Sequence, residues 1–149
     1  MSPRPFTLRP ATPADRPWLW ETKKLCLRTY IEETWGFWDE DVQRAHFDTT
    51  FEPAEISIVS LAGRDAGYIA ALRGPQEIQL FNIMIAPEFQ RCGLGTAVMR
   101  DLLAEAQTRR VSVRLQVLKV NPARRLYERL GFATFEETAT HFRMRWQPA

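Results

Sequence analysis

The stretch EFQRCGLGTAV, residues 88–98, decides the fold predicted for this chain. It holds Gly93 and Gly95, two of only seven glycines in 149 residues. A strand-like run precedes it at residues 76–85, and apolar residues repeat with helical spacing from Leu94 onwards. A helix N-terminus presents unpaired N–H groups, and glycines let an anion approach the backbone. The stretch therefore predicts either a cradle for a phosphate group or, more simply, a tight strand-to-helix turn.

Two familiar phosphate cradles are excluded by the residues that follow. A P-loop requires a lysine directly after its second glycine, and here Gly95 is followed by Thr96. A dinucleotide fingerprint requires a third small residue three positions after the second glycine, and that position is Val98.

Outward from this stretch, hydrophobic periodicity predicts a mixed sheet with helices packed against it. Alternation predicts strands near residues 6–9, 55–61, 66–72, 76–85, 111–118, 132–136 and 142–146. Helical spacing and capping residues predict helices near residues 12–30, 39–47, 94–106 and 122–130. The order is β-α-α-β-β-β-α-β-α-β-β. In the first helix, the side expected to face the core carries Trp18, Leu19, Leu25 and Cys26.

Length and composition suit one domain over residues 1–149, because a chain that is 45% hydrophobic can fill one core. No apolar run approaches the ~20 residues of a membrane span, and the start of the chain lacks the apolar region of a secretory signal. Cys26 and Cys92 have no metal-ligand spacing and suggest no disulfide framework. We therefore expect a cytoplasmic protein with free thiols, no membrane association and no metal.

Charge is distributed unevenly along the chain. Residues 30–55 contain eight acidic residues and one arginine, whereas residues 86–129 contain nine lysines and arginines and four acidic residues. The first segment favours cations and the second favours anions. Solvated helix faces are the simpler interpretation of any single charge.

Three motifs together resemble the GNAT superfamily of GCN5-related N-acetyltransferases. Residues 90–95 match the family signature [QR]-x-x-G-x-[GA] at every fixed position, and residues 83–89 resemble the strand and proline that precede it. Residues 121–132 resemble a second signature, an asparagine followed by a tyrosine and then Gly-Phe. One departure is visible, since Asn121 and Tyr127 are six residues apart where many members have seven.

The resemblance implies an α/β fold in which a mostly antiparallel central sheet has one splayed parallel strand pair and flanking helices. It also implies an acetyl-CoA-dependent N-acetyltransferase that works by direct transfer in a ternary complex. Carried over by position, the coenzyme A contacts are Ile83, Met84, Ile85, Gln90, Arg91, Cys92, Gly93, Leu94, Gly95, Thr96, Asn121 and Arg124. Arg125 is a further candidate for the 3′-phosphate.

The resemblance also implies two catalytic positions. Tyr127 matches the tyrosine that lies near the cofactor sulfur, where a phenol can protonate a departing thiolate. The backbone N–H of Ile85 would polarise the thioester carbonyl. The general base is open, because Gln79 stands where some relatives have a glutamate and Glu77 is two residues away. Cys92 is not expected to carry an acyl group.

The acceptor site is expected between the first two helices and the last strands. Carboxylates and indoles there suit a cation, and the candidate residues are Glu33, Trp35, Trp38, Asp41 and His141. The predicted acceptor is a small-molecule or peptide primary amine, such as a polyamine, an aminoglycoside, a peptide N-terminus or a lysine. Two alternatives stay open, a non-catalytic acyl-CoA-binding regulatory module and a protein- or tRNA-directed acetyltransferase. The acidic segment argues against a nucleic-acid partner, and a homodimer is possible.

Overall fold

The computed structural model describes residues 6–149. The first five residues, on which the expectation of no secretory signal rests, lie outside the described residues. The elements are β1 (Phe6–Pro10), α1 (Arg16–Trp35), α2 (Glu40–Thr50), β2 (Ile56–Leu61), β3 (Arg64–Arg73), β4 (Glu77–Ile85), α3 (Leu94–Arg109), β5 (Ser112–Leu118), α4 (Ala123–Arg129), β6 (Ala133–Glu137) and β7 (His141–Trp146). The predicted order of strands and helices is confirmed. None of the described helices combines the length and apolar character that crossing a bilayer requires.

The first helix ends and the second begins at residues that the sequence predicts, but one residue was wrongly predicted to lie on the buried side of α1. Gly36 ends α1 with φ of 86°, and the Asp39 carboxylate accepts from the Val42 N–H at 3.0 Å to cap α2. The prediction that Leu25 faces the core is wrong, because its side chain is 65% exposed while Trp20 is buried. Leu25 follows the buried Leu19 by six residues, about 1.7 turns, and so emerges on the opposite side of the helix.

The strands form one sheet in the order β1-β2-β3-β4-β5-β7-β6. Neighbouring strands are antiparallel except for β4 and β5, which are parallel. These two pair only where Glu77, Ile78 and Gln79 meet Ser112, Val113 and Arg114. Beyond Gln79 and Arg114 the strands continue without pairing, so a gap opens between their carboxyl ends. The predicted splayed parallel pair is therefore confirmed.

Strand β4 contains a bulge at Phe81. Ala70 pairs with Asn82 and the next residue, Ala71, pairs with Leu80, so Phe81 has no partner in β3. The extra residue reverses the alternation of side chains along the strand. As a result Ile78 and Leu80 before it, and Ile83 and Ile85 after it, all belong to the same core. Glu77 and Gln79 lie on the other face of the sheet.

Helices cover both faces of the sheet and define two cores. On one face, α3 and α4 bury the larger core, which includes Leu94, Val98, Leu102, Tyr127 and Met144. On the other face, α1 and α2 bury a smaller core with Tyr68 and Met84 that takes its strand residues from β2, β3 and β4 only. On this second face of the sheet, β5, β7 and β6 contribute no residue to the smaller core beneath α1 and α2.

Glycine is required at one position where β3 passes β4. Gly67 lies opposite Ile85, and a Cβ at Gly67 would overlap the carbonyl oxygen of Met84. The two strands come this close at the carboxyl end of β4, directly before the loop that carries the predicted cradle.

Candidate active site

The gap between β4 and β5 exposes backbone polar groups along one edge of β4. The Ala86 N–H donates to the Ala66 carbonyl at 2.8 Å, which places the polar groups of Ala86 toward β3. Because successive residues of a strand direct these groups to opposite edges, Ile85 and Ile83 direct theirs into the gap. Met84, between them, directs its own toward β3 and has its side chain in the smaller core. An extended chain could therefore pair with Ile83 and Ile85 as an added strand.

The loop between β4 and α3 forms a concave surface of N–H groups. Arg91 and Gly93 have positive φ angles of 64° and 83°, and such residues turn successive N–H groups to one side. Within residues 6–149, the backbone N–H groups of residues 91–96 donate to no protein acceptor. The first bond of this turn is from the Ala97 N–H to the Gly93 carbonyl, at 3.0 Å. Six donors without a protein acceptor thus lie in sequence at the positive end of the α3 dipole.

Gly95 leaves space in this cradle, although the packing of the protein does not require a glycine at this position. A Cβ there would come no closer than 3.6 Å to the Ile85 side chain, which is an ordinary contact. The missing side chain therefore matters for whatever approaches from outside. A diphosphate fits this arrangement, because it needs unpaired donors, positive potential and close backbone approach. The residues predicted to hold coenzyme A thus suit its pyrophosphate and its extended arm.

The carbonyl oxygen of Ile85 is held by two side chains from different elements. Gln90, the first residue of the glycine motif, donates its amide N–H at 2.8 Å, and the Cys26 thiol of α1 donates at 3.2 Å. Burial raises the pKa of Cys26 to about 11, although its bond to Ile85 lowers it, so the thiol remains a donor at neutral pH. The helical spacing places Cys26 on the inner side of α1, but a contact between residues 59 apart has no local signal in the sequence.

We expect Cys26→Ala to raise the KM for acetyl-CoA by about 2- to 10-fold with little change in kcat, because one of two donors that fix the end of β4 is lost. Cys26→Ser keeps a donor and serves as the matched control. Steady-state kinetics with acetyl-CoA as the varied substrate measures both. Equal KM values for wild type, the alanine variant and the serine variant would contradict this role.

Helix α4 begins at the end of β5 that borders the gap, and it carries Tyr127. The side chain is 8% exposed and packs on Phe132, with 5.8 Å between ring centroids. Burial raises the pKa of Tyr127 to about 12. Within residues 6–149 the Tyr127 hydroxyl makes no hydrogen bond, and its oxygen is not completely enclosed by protein atoms. The group is therefore a protonated donor without a protein acceptor.

The other predicted cofactor residues have protein partners of their own. The Asn121 side chain accepts from the Ala123 N–H at 2.9 Å and so caps α4. Arg124 lies 4.4 Å from the Phe142 ring centroid and pairs with Glu128 at 3.3 Å. Arg125 is exposed on the same helix. The exposed Cys92 donates its thiol to the Phe89 carbonyl at 2.9 Å. Their contacts with a cofactor stay predictions.

Of the predicted acceptor residues, the structure brings Trp35 and His141 together. Their ring centroids are 6.4 Å apart, where the end of α1 meets the start of β7. The pKa of His141 is lowered by burial and by the charge of Arg143, so the imidazole is neutral at pH 7. Glu33 is exposed on the last turn of α1.

Trp38 and Asp41 lie further along, at the start of α2. Trp38 packs on Trp20 at 6.1 Å and donates its indole N–H to Glu40 at 2.7 Å. Asp41 is exposed in the first turn of the helix. Trp38 thus has a structural role whether or not it also contacts an acceptor.

Local partners neutralise much of the acidic segment at residues 30–55. Glu32 pairs with Arg28, Glu40 with Lys24, and Asp48 with Arg16 and Arg44. Asp39 and Glu52 accept backbone N–H groups at the starts of helices. The excess of carboxylates read from this segment therefore overstates the negative charge available to a ligand.

Candidates for the general base lie on the face of the sheet that α3 does not cover. Gln79 and Glu77 share this face before the bulge, and Glu77 lies 3.8 Å from Arg114. Glu77 therefore already has a cationic partner within the sheet.

Comparison with known proteins identifies relatives of this arrangement. The model of the acetyltransferase (GNAT) family matches residues 17–132. A [ribosomal protein bS18]-alanine N-acetyltransferase of Salmonella typhimurium is 47% identical over 58 residues, which are 38% of this chain and 39% of the relative. The corresponding protein of Haemophilus influenzae is 40% identical over 57 residues, again 38% and 39%. The matches thus span about two fifths of these curated relatives.

Solved structures show the same fold along the whole chain. The ribosomal-protein-S18-alanine N-acetyltransferase of Escherichia coli is 23% identical with a TM-score of 0.68, covering 97% of this chain and 95% of that one. The PaiA N-acetyltransferase of Thermoplasma acidophilum, in complex with coenzyme A, is 15% identical with a TM-score of 0.73, covering 99% of both chains.

Proposed function

This chain belongs to the GNAT acetyltransferase family, and from that premise we propose that it transfers an acetyl group from acetyl-CoA to the amine of a peptide or protein. The observation that carries the proposal is the parting of β4 and β5 after three paired residues, beside a cradle of unpaired N–H groups. A gap with exposed strand backbone and an adjoining phosphate site suits a long, thin cofactor with a diphosphate.

We assign groups of this chain to two parts of the proposed reaction. Bound acetyl-CoA supplies an activated acetyl thioester, and the acceptor amine attacks its carbonyl carbon in the neutral form, since an ammonium has no lone pair. The N–H of Ile85, directed into the gap, donates to the developing negative charge on the carbonyl oxygen. As the C–S bond breaks, the Tyr127 hydroxyl donates its proton to the departing sulfur, and a pKa of about 12 keeps that proton in place at neutral pH until then. The proton that the nitrogen loses as the amide forms passes to solvent, and solvent returns a proton to the phenolate.

The proposed acceptor class rests on the relatives and on the shape of the site. The curated relatives carry names that describe acetylation of an alanine in a ribosomal protein. In this chain Trp35 packs on His141, which pairs with Leu118 at the carboxyl end of β5, the strand that borders the gap. On the same side of the sheet, β5 and β7 contribute no residue to the core under α1 and α2. An uncovered sheet face of this kind accommodates a polypeptide, whereas a closed pocket would suit a small amine.

The test is release of coenzyme A thiol from acetyl-CoA in the presence of amine panels. The panels comprise polyamines, aminoglycosides, amino acids and short peptides with a free N-terminus. We expect release that depends on peptide amines, together with acetyl-CoA binding by calorimetry. Binding without release for every amine would support an acyl-CoA-binding module instead, and release with polyamines alone would overturn the acceptor class.

Glu33→Gln and Asp41→Asn test the acidic side of the predicted acceptor site. If these exposed carboxylates attract the cationic amine, each change raises the acceptor KM by about 2- to 5-fold and leaves acetyl-CoA affinity unchanged, as expected of solvent-exposed charge pairs. Asp101→Asn, exposed on α3 on the opposite side of the sheet, controls for general loss of charge. An unchanged acceptor KM in both variants would remove these two residues from the site.

A further inference from the structure

A group of arginines lies on the sheet face that the helices leave uncovered. We call Arg114, Arg143, Arg145 and the adjacent Phe135 the basic face. Val113 and Leu115 of β5 and Met144 of β7 point into the larger core, so Arg114, Arg143 and Arg145, which alternate with them, point to the other side. The smaller core on that side contains no residue of β5, β6 or β7.

The arrangement of these arginines works against the stability of the sheet. Arg114 and Arg145 lie directly opposite each other on β5 and β7, and like charges in that position destabilise a sheet. Both guanidinium groups lie against the Phe135 ring, at 5.0 Å and 4.5 Å from its centroid. Within residues 6–149 Arg145 pairs with no carboxylate, and Arg114 reaches only Glu77, at 3.8 Å. A partner that brings negative charge would relieve this repulsion.

The basic face is continuous with the acceptor end of the gap. His141, Arg143 and Arg145 alternate along one side of β7, and His141 packs on Trp35 beside Leu118, at the carboxyl end of β5 that borders the gap. The path from His141 to Arg145 covers four residues of strand, about 13 Å. Below Arg145 the face continues into a hollow of about 730 Å³ that Arg110 and Arg145 help to line. An extended polypeptide whose amine enters the gap can therefore reach the arginines within about four residues.

We infer that the basic face binds acidic side chains of the acceptor polypeptide, at about the third to fifth residue after the acetylated amine. This inference rests on the proposed function and adds a sequence preference to it. Arg114 and Arg145 are the specificity-determining residues, and Phe135 holds their guanidinium groups in place. The preference is opposite in sign to the one that the acidic segment at residues 30–55 suggested, and three carboxylates of that segment, Glu32, Glu40 and Asp48, already pair with basic residues of α1 and α2.

An acidic peptide fits this face better than a nucleic acid does. Glu77 and Glu136 lie among the arginines, the latter 2.6 Å from Arg143, and would repel a continuous phosphate backbone. The Phe135 ring has guanidinium groups against it, which leaves less of it for stacking on a base. Separate carboxylates spaced along a strand suit separate arginines spaced along β7.

The test uses three octapeptides that share an N-terminal alanine and differ only at residues 3–5, which are glutamate, glutamine or lysine. With wild-type protein at low salt, we expect kcat/KM for the glutamate peptide to exceed that for the glutamine peptide by about 3- to 10-fold, through KM. The double variant Arg114→Gln/Arg145→Gln should lower the ratio of kcat/KM for the glutamate peptide to that for the glutamine peptide to about 1, and high salt should do the same. Arg100, which is exposed on α3 on the other side of the sheet, provides the matched control. Arg100→Gln should leave this ratio at its wild-type value. Anisotropy of labelled peptides reports binding independently of turnover.

The outcomes separate this inference from the proposed function. If no peptide is acetylated although acetyl-CoA binds, the proposed function fails. If all three peptides are acetylated equally by wild type, or the double variant keeps the preference, the inference fails alone. Competition by an RNA oligonucleotide that the double variant abolishes, without any peptide preference, would reassign the face to nucleic acid. A concentration-dependent dimer that the double variant dissociates, again without a peptide preference, would reassign it to a second copy of the chain.

Discussion

Tyr127→Phe is expected to lower kcat by about 10²- to 10⁴-fold while acetyl-CoA binds as before, because loss of one general acid has an effect of that size. The ring keeps its contact with Phe132, at 5.8 Å between centroids, so the packing of α4 is preserved. Only the hydroxyl, which makes no hydrogen bond within residues 6–149, is removed. Thiol release under saturating acetyl-CoA measures kcat, and calorimetry measures binding.

The pH dependence gives a second measure of the same residue. Burial raises the pKa of Tyr127 to about 12, so the acid stays protonated while the acceptor amine loses its proton. The rate should therefore rise as pH increases toward the pKa of the amine and show no decline from Tyr127 below about pH 11. A falling limb near pH 9 that disappears in Tyr127→Phe would show that the phenol titrates much earlier. A kcat for Tyr127→Phe within 2-fold of wild type would remove it as the acid.

Gly67→Ala is expected to lower the free energy of unfolding by about 3 kcal/mol or more, or to prevent folding. The new methyl group would overlap the Met84 carbonyl oxygen, and a backbone atom in the middle of a paired strand cannot rotate away. Urea unfolding followed by circular dichroism measures the change.

The matched control for Gly67→Ala is Gly95→Ala, since its methyl group would meet only the Ile85 side chain, at 3.6 Å. It should unfold within about 1 kcal/mol of wild type. Equal stability of the two variants would show that β3 and β4 can move apart at Gly67.

Local signals in the sequence were sufficient for the order of the elements. Pro87, Gly36, Gly131 and Asp39 stand where strands and helices end or begin. The bulge was not predicted, although its signal is present in β4. Ile78 and Leu80 stand at even positions, whereas Phe81, Ile83 and Ile85 stand at odd positions, with the apolar Met84 between the last two. Such a change of phase within one strand indicates an extra residue, but the additional apolar residue Met84 makes the stretch resemble a single uninterrupted strand.

The sequence predicted those parts of the site in which a motif determines the local backbone conformation. It did not predict the parts that depend on contacts between distant segments. The glycine motif predicted the cradle, because glycine spacing determines which N–H groups can be approached. The contact of Cys26 with Ile85 joins residues 59 apart, and the facing of Arg114 and Arg145 depends on the register of β5 and β7. No local sequence pattern predicts either of these two contacts. The pair of Lys24 and Glu40 likewise joins two helices, whereas Arg28 with Glu32 and Arg44 with Asp48 have the i,i+4 spacing that a helix brings together.

The unpaired Phe81 of β4 also determines how this gene segment can tolerate insertions and deletions. Removing that one residue would join Leu80 directly to Asn82, and these two residues already pair with consecutive residues of β3. Ile78, Leu80, Ile83 and Ile85 would then alternate regularly and would all stay in the larger core. A single-codon deletion at Phe81 would thus preserve interior and surface in both halves of the strand and remove only the irregularity between them.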